Sequence, residues 1–178
     1  LQCKHCFITN YGTEIKDGVT KIILFDEFKI LADRLKPLVI KADYFVFSTF
    51  EAIINKDLFR MIDYLLTMNP RLKFPFLSNS MELTPQKIAL LEKYPLSEIN
   101  ISIDGTTAEV VEEFKNGVKF DSILIALDRL SKSTLHDRLT VTFVAHKKNI
   151  HQLPELLQLV KKFNVRSIKV SNGRRRWP

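Results

Sequence analysis

Along the 178-residue chain, apolar positions switch repeatedly between short strand-like runs and longer stretches at helical spacing. Tyr44-Phe45-Val46-Phe47 is a compact apolar run that predicts a strand. Behind it Leu58, Phe59, Met61, Ile62, Leu65 and Leu66 recur at helical spacing, with Asn55 as the expected N-cap and Asn69-Pro70 as the stop. Leu72 to Leu77 reads as a strand, although Pro75 could not donate to an interior ladder. Thr84-Pro85 offers an N-cap and a first helical residue, with Ile88, Leu90 and Leu91 turned inward. Ile99 to Ile103 predicts a strand that closes on the turn signal Asp104-Gly105. Asp121 is placed to cap a helix carrying Ile123, Leu124, Leu127 and Leu130. Leu139 to Ala145 is a strand rich in β-branched residues, and Asn149 is expected to begin a helix through Leu153, Leu156, Leu157 and Val160. Ile168 and Val170 mark a last short strand.

This is strand–helix alternation with strand starts about 25–40 residues apart, the spacing of right-handed crossovers between parallel strands. Upstream, Leu24 to Leu35 reads as an amphipathic helix with Phe25, Phe28, Leu31, Ala32 and Leu35 inward. A parallel repeat should open on a strand, so the first strand is expected to precede Leu1. The expected fold is α/β: a parallel (β/α) partial barrel of TIM type, one domain over residues 1–178, with a C-terminal extension expected beyond Pro178. In such folds the functional face lies on the loops after the C-terminal ends of the strands.

Composition agrees with a packed domain: 46% of residues are apolar, and Phe alone accounts for 13. No apolar run approaches the roughly 20 residues that span a bilayer, so no membrane partner is expected. The net charge of +7 includes the run Arg174-Arg175-Arg176, and the remaining cations read as solvated faces. A nucleic-acid surface would interleave them with exposed aromatics, whereas the Phe residues here sit in strand and helix patterns. The chain has two cysteines, Cys3 and Cys6, in a C-x-x-C. That spacing points to metal or redox use in a reducing compartment, and hence to the cytoplasm.

Two thiolates do not complete a tetrahedral zinc site or a cubane cluster. The four histidines, His5, His136, His146 and His151, form no ligand couplet, and His146 and His151 read as surface residues. A thioredoxin-like pair would open a helix at once, but about fifteen loop residues follow Cys6. Several polar segments fall at or just beyond predicted strand ends: the cysteines, Thr49-Phe50-Glu51, Ser78-Asn79-Ser80 and Ser102-Ile103-Asp104-Gly105.

In that order and spacing the chain resembles the radical S-adenosylmethionine (SAM) superfamily, and more closely its members with a SPASM-type C-terminal extension. Leu1-Gln2-Cys3-Lys4-His5-Cys6-Phe7 matches the second half of the family's C-x-x-x-C-x-x-C, which puts the first Cys two residues before Leu1. The resemblance implies that Cys3 and Cys6 ligate a [4Fe–4S] cluster and that His5 packs near the adenine of SAM. Phe47-Ser48-Thr49-Phe50-Glu51-Ala52 resembles the G-G-E-P segment, with Glu51 at the Glu position near the SAM amino group. Thr49, Phe50 and Ala52 replace its glycines and proline. Ser78-Asn79-Ser80 stands where T-N-G is usual, and Ser102-Ile103-Asp104-Gly105 matches S-[IL]-D-G. Asn79, Ser102 and Asp104 are thereby implied to border SAM, with Ser102 against the ribose. Gly117, Phe120-Asp121 and Asn149 fit downstream landmarks.

The activity implied is reductive cleavage of SAM to a 5′-deoxyadenosyl radical that abstracts hydrogen from a peptide or protein. An electron donor of flavodoxin or ferredoxin type is implied with it. No residue is identifiable as acid, base or radical relay. With one cluster ligand lacking, the chain by itself is expected to be inactive. Two other classes stay open at the level of sequence. The lost glycines suit a degenerate barrel acting as a binding scaffold, and the cysteines with the positive charge suit a zinc-binding nucleic-acid module.

Overall fold

The computed structural model describes residues 2–3, 22–47 and 51–172. Its centre is a parallel sheet of four strands, β2 (Phe74–Ser78), β3 (Leu96–Ser102), β5 (Leu139–Ala145) and β6 (Ser167–Asn172), in the order β2-β3-β5-β6. A second, two-residue antiparallel pair joins β1 (Gln2–Cys3) to β4 (Lys115–Asn116). The helices are α1 (Phe25–Arg34), α2 (Lys36–Val39), α3 (Leu58–Met68), α4 (Pro85–Leu91), α5 (Ala108–Phe114), α6 (Phe120–Ser131) and α7 (Leu153–Lys162). The sheet is open, with β2 and β6 as its outer strands, so the expected parallel (β/α) arrangement is present as an unclosed arc.

The sheet has two unlike faces because side chains alternate along each strand. Ile99, Ile101, Val141 and Phe143 are fully buried on one face, together with Leu127 of α6 and Leu156 of α7. The other face is half-buried and polar. There the Thr142 hydroxyl donates to Asn100 Oδ1 at 2.8 Å, the Asn100 amide donates to Glu98 at 2.9 Å, and Lys169 reaches Glu98 at 2.6 Å. A chain of hydrogen bonds thus crosses β3, β5 and β6 on this polar face.

Several local expectations need correction. Tyr44 to Phe47 does not form a strand; it makes one bridge, between Tyr44 and Lys73. The reason is Pro75. Lys73 N–H donates to Asp43 and Phe45 N–H donates to Lys73, both at 3.0 Å, so the next bond of the ladder would come from the N–H that Pro75 lacks. The proline faces this outer edge and leaves the β2–β3 ladder intact, apart from a shift in register between Phe74 and Pro75.

Asn55 does not cap α3. Its carboxamide accepts from Asp57 N–H at 2.9 Å and donates to the Ile23 carbonyl at 3.0 Å, and the helix begins three residues later. Asp121 does not cap α6 either. Glu112 of α5 accepts from Phe120 N–H at 3.4 Å, and Asp121 stays exposed in the first turn. Asn149 is followed by a short 3₁₀ turn before α7. Leu31, Leu90 and Leu157 are exposed, each beside rather than on a narrow buried stripe: Phe28/Ala32, Ile88/Leu91 and Leu156/Val160. Thr84 does cap α4, its hydroxyl accepting from Lys87 N–H at 3.3 Å.

Candidate functional site

Parallel strands end on the same side, so the segments after Ser78, Ser102 and Ala145 share one rim. At the first of these, Glu51 reaches across to the end of β2. Its Oε1 accepts from the Ser78 hydroxyl at 2.7 Å, and its Oε2 accepts from Asn79 N–H at 2.6 Å. Ser78 Oγ also accepts from Ser80 N–H at 2.9 Å, and Asn79 Oδ1 accepts from Met81 N–H at 3.0 Å. Burial pushes the Glu51 carboxyl above its ordinary value, and the donors from Asn79 and Ser78 only partly offset it. A part-desolvated carboxylate fixed by two donors is suited to accept a cationic group.

Ser80 has φ 77°, in the left-handed region, and is buried. The turn after β2 therefore keeps a backbone shape that glycine adopts without cost, although serine supplies it. Among the described residues its buried hydroxyl has no hydrogen-bond partner.

The end of β3 carries a denser network. Lys115 sits beside it with its ammonium 2.6 Å from the Ser102 carbonyl, 2.7 Å from Ser102 Oγ and 3.3 Å from Asp104 Oδ2. Both charged side chains are buried, at 3% and 0% exposure, so each charge depends on the other. Asp104 Oδ1 accepts from Val144 N–H at 2.8 Å, which ties the end of β3 to the end of β5. Asn149 closes the same junction. Its amide donates to the Asp104 and Val144 carbonyls, both at 2.9 Å, and its Oδ1 accepts from His146 N–H at 2.6 Å. Gly105 is needed here because a Cβ would stand 2.8 Å from Val110 Cγ1 and 3.0 Å from Gln152 Oε1.

Of the residues singled out in the sequence, Glu51 and Asn79 meet at the end of β2, and Ser102 and Asp104 meet at the end of β3. Cys3 is described by its backbone alone, in register with Lys115. His5, Cys6, Thr49, Phe50 and Arg174-Arg175-Arg176 lie outside the described residues. Sequence reasoning missed Lys115. The available signal was its position four residues after Val111 on a helical stripe, where a lysine is out of place unless it is paired. Asn149 was read as a helix start, yet its side chain turns back to the sheet. His146 is not a surface residue: its ring stacks on Phe114 at 5.2 Å between centroids.

The sequence pattern of the Radical SAM superfamily matches residues 1–160. The mycofactocin maturase MftC of Mycolicibacterium smegmatis is 24% identical over 163 residues, covering 92% of this chain and 39% of that protein. The PqqA peptide cyclase of Rhodopseudomonas palustris is 22% identical over 172 residues, covering 97% of this chain and 43% of that protein. Among solved structures, SuiB of Streptococcus suis bound to S-adenosylmethionine superposes with a TM-score of 0.71 at 13% identity, over 97% of this chain and 38% of that one. The protein anSMEcpe with bound AdoMet gives 0.77 at 13% identity, over 97% of this chain and 48% of that one. At that identity the structural likeness shows the fold, and the chain spans less than half the length of each of these proteins. The match over residues 1–160, joined to a parallel half-barrel with its polar network at the strand ends, shows that the chain belongs to the Radical SAM superfamily, whose members work with a [4Fe–4S] cluster and S-adenosylmethionine.

Proposed function

We propose that this chain is the core of a peptide-modifying radical SAM enzyme of SPASM type, in which residues 1–178 form the cofactor-binding barrel segment. The observation that carries this reading is the pair of networks at the strand ends, Glu51 on Ser78 and Asn79, and Lys115 on Ser102 and Asp104. They set the Glu51 carboxylate and the Ser102 hydroxyl at the strand ends where an amino acid with a ribose attached has to be held, and the buried Lys115 ammonium fixes Ser102 there. The donor set fits SAM: the part-buried Glu51 carboxylate suits the ammonium of its methionine moiety, and the Ser102 hydroxyl suits a sugar hydroxyl. Asp104, with one oxygen on Val144 N–H and the other beside Lys115, acts by holding Lys115 and Ser102 in place.

Cys3 and Cys6 are assigned as cluster ligands and His5 as a neighbour of the adenine. A third thiolate has to come from outside residues 1–178, because the chain contains two cysteines. Held by these residues, a cluster would supply one-electron reduction of the SAM sulfonium, whose carbon–sulfur bond would break to give methionine and a 5′-deoxyadenosyl radical able to abstract hydrogen. What the chain's own residues do is bind, orient and exclude water.

The substrate class follows from the relatives: a maturase, a peptide cyclase, and SuiB crystallised with the precursor peptide SuiA. A cytoplasmic location and a flavodoxin- or ferredoxin-type donor complete the proposal. No helix among the described residues is long and apolar enough to cross a membrane. The left-handed turn at Ser80 counts against the scaffold alternative, since the turn survives the loss of its glycine.

The test is anaerobic reconstitution of the chain carrying an N-terminal extension with a cysteine two residues before Leu1. Cluster absorbance near 400 nm (about that value for such clusters) and release of 5′-deoxyadenosine on reduction are expected. A reconstituted cluster that leaves SAM intact, or failure to take up iron, would overturn the assignment.

A further inference from the structure

Lys115 is one residue with two attachments. Its backbone pairs with Cys3 in β1–β4, and Gln2 pairs with Asn116 beside it. Its side chain runs the other way, into the end of β3, where the ammonium donates to Ser102 O and Ser102 Oγ and forms an ion pair with Asp104 Oδ2 at 3.3 Å. Asp104 is itself held by Val144 N–H, so the anchor is tied to two strands of the central sheet. The preceding residue, Phe114, is buried and stacked on His146, which adds an apolar clamp to the ionic one.

A two-residue pair of strands has no stability of its own and takes its geometry from whatever fixes its inner member. Here the inner member is β4, and what fixes β4 is the side chain of its own first residue. The backbone at Cys3 therefore inherits its place from a lysine whose charge is satisfied at the end of β3. On the reading that Cys3 is a cluster ligand, we propose that Lys115 is a positioning residue, the joint that holds the cysteine segment in register with the Ser102–Asp104 end of the sheet. It acts through Cys3 backbone placement.

The informative variant is the double substitution Lys115→Met with Asp104→Asn, which removes the joint without leaving a buried charge orphaned. Lys115→Arg, which keeps the charge, serves as the conservative control. In the metal-free protein, amide hydrogen exchange in the β1–β4 pair, residues 2–3 and 115–116, is expected to quicken at least tenfold in the double variant. Exchange in β3 and β5, read in the same experiment, is expected to stay within twofold of the unsubstituted protein, reporting an intact sheet. In the reconstituted protein, iron is expected to pass to a ferrous chelator at least tenfold faster from the double variant, with Lys115→Arg within about threefold of the unsubstituted rate.

Unchanged exchange in the β1–β4 pair with an intact sheet would overturn the proposal, as would an unchanged rate of iron loss. A protein that takes up no cluster at all would instead overturn the functional reading, and the exchange experiment would still decide whether Lys115 places the segment.

Discussion

At Ser80 a non-glycine residue holds φ 77° and buries a hydroxyl that lacks a partner among the described residues. Left-handed backbone costs an ordinary residue about 1–2 kcal/mol, and an unsatisfied buried hydroxyl costs about as much again. Glycine would remove both terms while adding up to about 1 kcal/mol of unfolded-chain entropy. Ser80→Gly is therefore expected to stabilise the protein by about 1–3 kcal/mol, read as a higher urea midpoint at unchanged slope; a lower midpoint would contradict the strain. Glu51 carries the other residue-scale prediction. Its carboxyl is raised in the fold by burial, so the contribution of Glu51 is fully present below the unfolded value of about 4.3 and is lost as pH rises through the folded one. Urea melts at a series of pH values should show the native protein losing stability relative to Glu51→Gln as pH climbs from about 4 toward neutrality. A difference independent of pH would refute the linkage.

Elements end where the hydrogen-bond supply ends, and β2 shows this at its outer edge. Pro75 presents no N–H to Phe45, so residues 44–47 pair at a single bridge although their apolar run reads as a strand. Pro75→Val restores the donor. The amides of residues 75 and 47 are expected to become protected from hydrogen exchange, with a gain of about 0.5–1 kcal/mol for the added ladder bond. No new protection at residue 47 would mean that something other than the proline stops the ladder. The same logic governs α3 and α6. Their sequence-apparent caps, Asn55 and Asp121, were plausible by residue type, but Asn55 closes a local turn onto Asp57 N–H ahead of α3, and Glu112 of α5 accepts from the first amide of α6. The cap at Thr84 was legible because donor and acceptor both lie within the local Thr-Pro segment.

On the scale of the whole molecule, the site is a product of strand junctions. Asn149 ties the carbonyls of Asp104 and Val144 to the His146 amide, so the loops after β3 and β5 move as one piece. Asn149→Ala removes three hydrogen bonds at this junction, to two carbonyls and from one amide, and is expected to cost about 3 kcal/mol. Thermal melting would register this as a drop of several degrees, and a change under one degree would show the junction to be held by other contacts.

The sequence by itself determined the strand–helix order, the parallel topology and the family, because these rest on local periodicity and on short segments whose order survives substitution. Ser102 and Asp104 stand out in the sequence for the same reason, at the end of the apolar run that forms β3, whereas Glu51 follows a run, residues 44–47, that pairs at a single bridge. The tertiary structure alone decided what those residues touch. The helical stripe through Val111 could mark Lys115 as a charge in need of a partner, but nothing local to either residue names Asp104 as that partner, since the two meet only when α5 packs beside the end of β3. Nor could Asn149 be read as a tie between strands, because the carbonyls it satisfies lie up to 45 residues away in sequence and become neighbours only when the sheet forms.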